Sequence, residues 1–177
     1  MDCYEKTKKR IQEFQINRPQ VICCKEITGV TGPAELGGIL NFADFYALML
    51  PDNSATVAPG TDVSFPQNGP NSGSDIARIG PDSFNLSQIG TYQVLFQVGV
   101  SEAGQLKLTL NGAPLAYTVV GRATGTSQIV GIALLTTTIN SVLNVRNPAD
   151  NSTALTITPF AGETQPVSAQ LVITQIQ

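Results

Sequence analysis

Beyond Gly38 turn-forming residues about every 8–12 positions cut the chain into short apolar runs rich in Val, Ile, Leu, Thr and Tyr, the texture of strands. The runs cover 39–50, 55–65, 76–86, 91–101, 105–111, 114–122, 127–138, 141–146, 153–158 and 167–176. Pro51-Asp52-Asn53, Gly69-Pro70-Asn71-Ser72-Gly73, residues 101–104, Asn111-Gly112 and Asn147-Pro148 separate them. About ten strands and almost no helix predict an all-β domain.

Alternation assigns faces within the runs. Tyr92, Val94, Phe96, Val98 and Val100 point one way while Gln93, Gln97 and Gly99 point the other, and Leu106, Leu108 and Leu110 alternate with Lys107 and Thr109. These are half-buried strands of a two-layer antiparallel sandwich. Asn111-Gly112 predicts a two-residue hairpin, because a type I′ turn needs positive φ at both central positions.

One run does not alternate. Residues 129–135 (Ile129, Val130, Gly131, Ile132, Ala133, Leu134, Leu135) are apolar without interruption. In a sandwich the outward side of a strand meets water, so a strand apolar on both sides implies an outer cover. Another subunit is the simplest cover; a loop lying across the back of a central strand is the alternative. Leaving Val130, Ile132 and Leu134 bare forgoes several kcal/mol, since burying one such side chain gains about 1.5–3 kcal/mol.

Composition narrows the chemistry. The 177 residues include no histidine, which excludes Ser-His-Asp and Cys-His catalysis, His-ligated zinc and an imidazole pH switch. The acids after Glu35 are scattered singly beside turn residues. Asp52, Asp75, Asp82 and Asp150 could contribute to a calcium site, but no EF-hand spacing links them. Asn85-Leu86-Ser87 and Asn151-Ser152-Thr153 match a glycosylation sequon, a pattern frequent by chance. No catalytic residue, cofactor or metal is expected.

Charge divides the chain after Ile27. Residues 1–27 hold six Lys or Arg against four acids, and the remaining 150 hold four against nine. A body so poor in basic residues cannot neutralise a phosphate backbone, so nucleic-acid binding would rest on the Lys6 to Arg10 cluster alone, and since short charge runs are usually solvated faces it is not expected. In the first segment Tyr4, Thr7, Ile11 and Phe14 fall at helical spacing over two heptads ended by Pro19, predicting a short amphipathic helix that needs a partner. All three cysteines, Cys3, Cys23 and Cys24, lie here. Adjacent Cys23 and Cys24 fit disulfide geometry poorly with each other, which leaves bridges to Cys3 or between chains, or free thiols. Residues 29–34 read Gly-Val-Thr-Gly-Pro-Ala, two Gly-X-Y triplets that are either an ordinary linker or a collagen-like stub. No run approaches the length of a membrane span, and no secretory h-region is expected within 1–27.

Three phrases carry a family likeness: Phe42-Ala43-Asp44-Phe45-Tyr46-Ala47-Leu48-Met49; Asp52-Asn53-Ser54-Ala55-Thr56-Val57-Ala58-Pro59-Gly60; and Gly121-Arg122-Ala123-Thr124-Gly125-Thr126-Ser127-Gln128-Ile129-Val130-Gly131. With Val145-Arg146-Asn147-Pro148-Ala149 and Val172-Ile173-Thr174, they make 37–177 resemble the C-terminal domain of the collagen-like exosporium glycoproteins (BclA type) of spore-forming bacteria. The resemblance implies a jelly-roll β-sandwich of the tumour-necrosis-factor/C1q type that trimerises at the tip of collagen-like stalks on the spore surface. The family's collagen tract precedes this domain, so the stub reading of 29–34 gains. The tract here is only two triplets, and the family's Pro-rich spore-targeting leader is not expected in residues 1–27.

The domains expected are therefore 1–27, an amphipathic Cys-containing segment; 28–38, a linker or collagen-like stub; and 39–177, the jelly roll. The expected function is a non-enzymatic, self-trimerising structural head. Val130, Ile132 and Leu134 are the expected trimer contacts, with Tyr46 as a fourth, and Cys3, Cys23 and Cys24 are the candidate interchain staples. The alternative is an adhesin-like head that recognises a glycan or glycoprotein through loops 52–54, 67–75 and 149–152.

Overall fold

Period-two alternation becomes paired strands in the computed structural model, which describes residues 38–48, 52, 56–123, 127–157 and 167–177. The expected N-terminal helix, the Gly-X-Y stub, Cys3, Cys23 and Cys24 all lie outside the described residues. In chain order the strands are β1 (Asn41–Leu48), β2 (Thr56–Val57), β3 (Gln67–Asn71), β4 (Ile76–Arg78), β5 (Phe84–Leu86), β6 (Gly90–Val100) and β7 (Gly104–Leu110). They continue with β8 (Ala113–Pro114), β9 (Val120–Arg122), β10 (Ser127–Thr137), β11 (Ser141–Arg146), β12 (Leu155–Thr156) and β13 (Val167–Gln175). One 3-10 turn, Ala116–Thr118, precedes β9.

All strand pairings among the described residues are antiparallel. A five-stranded sheet in the order β10-β6-β13-β1-β3 faces a six-stranded sheet in the order β4-β5-β11-β7-β8, with β9 also on β7. The two share one core, as a jelly roll requires. Tyr92, Val94, Phe96, Val98 and Val100 of β6 are buried together with Leu171 and Ile173 of β13, against Phe84, Leu86, Leu106, Leu108 and Leu143 of the opposite sheet. Phe84 bridges the layers, its ring centroid 4.6 Å from Phe45 and 6.0 Å from Phe65. The long alternating runs thus point as their pattern predicts, although at the end of β7 Leu110 stays half-buried and Thr109, on the opposite side, is fully buried.

Asn111 and Gly112 take φ of 52° and 79°, and Thr109 and Leu110 pair with Pro114 and Ala113 as the I′ hairpin demands. Several expected strands are shorter than their apolar runs. Among the described residues of run 55–65 strand is confined to Thr56–Val57, because Pro59-Gly60 turns the chain, with Gly60 at φ 82° and Thr61 N–H donating to Ala58 O at 3.0 Å. Run 76–86 is two strands, since Gly80-Pro81 folds it into a hairpin closed by Ile79 N–H to Ser83 O at 2.9 Å. Run 114–122 winds through the 3-10 turn, and the described part of run 153–158 pairs at Leu155–Thr156, with a further bridge from Ile157 to Val100. Conversely, the expected turn at 69–73 begins inside β3. This strand ends the sheet, so Pro70 forfeits no ladder hydrogen bond, and a register break opposite Ala43 to Phe45 absorbs one extra residue.

Polar groups tie the loops down. Asn147, fully buried, donates from Nδ2 to Val57 O at 2.9 Å and Thr153 O at 3.3 Å, and accepts from Asn151 Nδ2 at 2.6 Å. Arg146 forks onto Asp62, Nε to Oδ1 at 2.6 Å and Nη2 to Oδ2 at 2.9 Å, a hydrogen-bonded pairing that holds the guanidinium proton more tightly still. Tyr92 donates its hydroxyl to Gln88 O at 3.1 Å, and burial, with the Asp75 charge adding to it, pushes this phenol above its ordinary 10.0.

Three outcomes follow from this packing. A Cβ on Gly131 would lie 2.4 Å from Phe96 Cζ and 2.5 Å from Cε1, so Gly131→Ala should lower unfolding stability in urea by about 1–3 kcal/mol. The Thr109 hydroxyl is buried without a partner, and Thr109→Val should raise stability by about 1 kcal/mol in the same titration. Because the Tyr92 phenol is raised in the folded state, its contribution is complete below pH about 10 and is lost as pH rises toward the folded value. Alkaline unfolding monitored by circular dichroism should therefore move to higher pH in Tyr92→Phe.

Candidate self-association face

The uninterrupted run lies in β10, the last strand of the five-stranded sheet. Ile129, Gly131 and Leu135 turn inward and are buried. Val130, Ile132 and Leu134 turn outward and are 53%, 63% and 54% exposed. Among the described residues nothing of the same chain roofs this row, so the loop-across-the-back alternative finds no support there.

Tyr46, half-buried, lies on the same outward side of the sheet, since Ala43, Phe45 and Ala47 face the core. The strand registers place it in one cross-strand row with Val130, through Gln97 and Gln170. The next row runs Ile132, Leu95, Val172, Asp44, and the one after it Leu134, Gln93, Thr174, Phe42. All four expected contact residues thus share one face, with Tyr46 about 14 Å from Val130 at the ~4.8 Å strand spacing. The same face carries Leu95, Val172, Phe42 and Leu48, which are not among the four expected contacts. Leu95 had a signal: it stands between Gln93 and Gln97 on what is otherwise the polar side of β6.

This face has almost no charge. None of its five strands contains Lys or Arg, and Asp44 is their one acid. Gln170 Nε2 lies 3.2 Å and 3.0 Å from the two Asp44 carboxylate oxygens and donates to them. Amide and hydroxyl side chains fill the rest. At the outer edge of β10, Tyr117 donates its hydroxyl to Leu134 O at 3.0 Å and Arg122 Nη1 donates to Gln128 O at 3.3 Å. Side chain and hydrogen-bonding direction both alternate with period two, so Val130 and Ile132, between these contacts, direct their backbone groups to the edge that no described strand pairs. Covering the three half-exposed side chains would gain about 3–5 kcal/mol per subunit before association costs.

The other candidate positions are engaged in holding loops. Asp52 accepts from Leu48 N–H at 3.0 Å and from Gln67 Nε2. Asp75 accepts from Ser87 at 2.9 Å and Gln88 at 3.1 Å; the Gln88 bond first, then the Ser87 bond, holds its carboxyl below the usual value. Asp82 accepts from Ser83 at 2.8 Å. Among the described residues no three Cys, Asp or Glu side chains gather to hold a metal. Of the loops assigned to ligand recognition, 67–71 is edge strand β3, and Asn151 is bonded to Asn147 and to Gln105 O. No described helix is long and apolar enough to cross a membrane.

With this geometry the fold is a jelly roll of the TNF/C1q type. The globular domain of zebrafish complement 1qA protein is similar at 14% identity and a TM-score of 0.57, over 77% of this chain and 97% of that one. Murine APRIL is similar at 12% identity and a TM-score of 0.52, over 76% and 98%. At these identities the likeness is one of fold. No protein-family model matches the chain, nor does any curated protein.

Proposed function

We propose that this domain is the self-trimerising head of a collagen-like filament on a bacterial spore surface, a structural part without catalytic activity. The observation that carries the reading is the outward row Val130, Ile132 and Leu134, more than half exposed on a nearly uncharged sheet face. A row of branched aliphatics that a monomer leaves wet is stable when another copy dries it, and closed symmetric assembly leaves no such row uncovered. Three copies, rather than two, come from the resemblance of 37–177 to exosporium heads and from the Gly-X-Y triplets just before the domain. The same resemblance is the support for the spore surface. The absence of histidine supports a non-enzymatic role, as do acids occupied singly in loop contacts.

Sedimentation of the full chain tests the reading. The expected result is a trimer that persists on dilution, converted to folded monomer by Ile132→Glu. That substitution should change the stability of an isolated subunit by no more than about 0.5 kcal/mol, because the side chain is mostly exposed and no described residue of its own chain roofs it. A monomer at all concentrations, with Ile132→Glu indistinguishable from the parent, would remove the proposal.

A further inference from the structure

Asparagine followed by glycine occurs twice in the chain, at Asn68-Gly69 and Asn111-Gly112, and the fold treats the two oppositely. Such a pair carries its own reaction. The glycine backbone nitrogen attacks Cγ of the asparagine side chain; the new C–N bond forms, the Cγ–Nδ2 bond breaks, and ammonia leaves with the proton of the attacking nitrogen. Water then opens the cyclic imide at one carbonyl to give aspartate or at the other to give isoaspartate. Bulk water is the only co-reactant.

We propose that Asn111 is a site of spontaneous deamidation in the folded protein, and that its conversion to isoaspartate unlatches the β7–β8 hairpin tip from β11. Asn111 and Gly112 are both exposed at the tip, and nothing lies within 4 Å of the position a Gly112 Cβ would occupy. The ladder closes at Leu110 and Ala113, which leaves the Gly112 N–H outside it. Val142 N–H donates to Asn111 Oδ1 at 2.8 Å and so draws electron density from Cγ.

Asn68 has the same activation, since Arg78 Nε donates to its Oδ1 at 2.9 Å. The backbones differ. Asn68 pairs with Phe45 within β3, and Gly69 packs so closely on Asp44 that a Cβ there would lie 3.1–3.2 Å from its atoms. Bringing Gly69 N onto Asn68 Cγ must lift β3 from β1, and each ~1.4 kcal/mol of such opening slows the reaction about tenfold. The tip at Asn111 gives way without breaking a strand.

What it does break is the latch to β11: Asn111 N–H to Val142 O and Val142 N–H to Asn111 Oδ1, both 2.8 Å. Isoaspartate inserts an extra atom into the main chain, which the two-residue turn cannot accommodate, and adds a negative charge.

The test is to age the full-length protein at mildly alkaline pH, folded and in strong denaturant, and map deamidation and isoaspartate by peptide mass spectrometry. In denaturant the two sites should convert at comparable rates. In the folded protein Asn111 should convert about tenfold or more faster than Asn68, and hydrogen exchange at the Val142 amide should accelerate in the aged fraction. Retention of Asn111 in the folded protein, or conversion of Asn68 at an equal rate, would overturn the site assignment. Unchanged Val142 exchange in isoaspartate-containing protein would overturn the unlatching.

Discussion

The pairing of β10 with β6 is the contact from which the rest of the arrangement follows. It runs without a bulge from Ser127 opposite Val100 to Thr137 opposite Gly90. In most strands a one-residue slip is forbidden because it would carry apolar side chains into water and polar ones into the core. β10 lacks that safeguard, since both of its sides are apolar. Its facing is set instead by Gly131, the one position in the run with no side chain, which sits opposite Phe96 where the ring leaves no room for a Cβ. Shifting the strand by one residue would press Val130 or Ile132 onto that ring. At the far end Thr137 Oγ1 accepts from Gly90 N–H at 3.1 Å and donates to Gln88 O at 3.0 Å, fixing the register a second time.

Once that register is set, Val130, Ile132 and Leu134 have no choice but the outer face. There they meet the outward members of β6, β13 and β1, residues that their own alternation had already turned away from the core. The result is a sheet with one side sealed by the second layer and the other side composed of aliphatic, aromatic and amide groups with Asp44 the lone carboxylate. Such a surface is poorly hydrated without being repelled by a copy of itself. That combination is what self-association requires, and low charge is what allows it.

Much of this was legible in the sequence because the long strands state their faces by alternation. The buried side of β6, the Asn111-Gly112 hairpin and the two-sided character of β10 all appear in the fold as read. The short strands were harder, for a local reason. In 76–86 and 55–65 the apolar residues continue through Gly80-Pro81 and Pro59-Gly60, and a run of apolar letters hides a turn that burial on both flanks makes affordable. β3 misled in the opposite sense, since a strand of Gln, Asn, Gly and Pro is tolerated only at a sheet edge, and edges are a property of topology. The candidate face was half legible. The β10 row announced itself, whereas Phe42, Leu48 and Val172 join it only once β1, β13 and β6 lie side by side, which depends on pairings between residues distant in sequence, those of β1 with β13 more than a hundred positions apart.

The central claim is that identical copies dry the outward row of β10. Methyl NMR of the full-length protein with a soluble paramagnetic agent reads this directly, using Ile89, 69% exposed, and Leu171, fully buried, as internal references. If the claim holds, the methyl groups of Val130, Ile132 and Leu134 are shielded as Leu171 is. Broadening equal to that of Ile89 would contradict it.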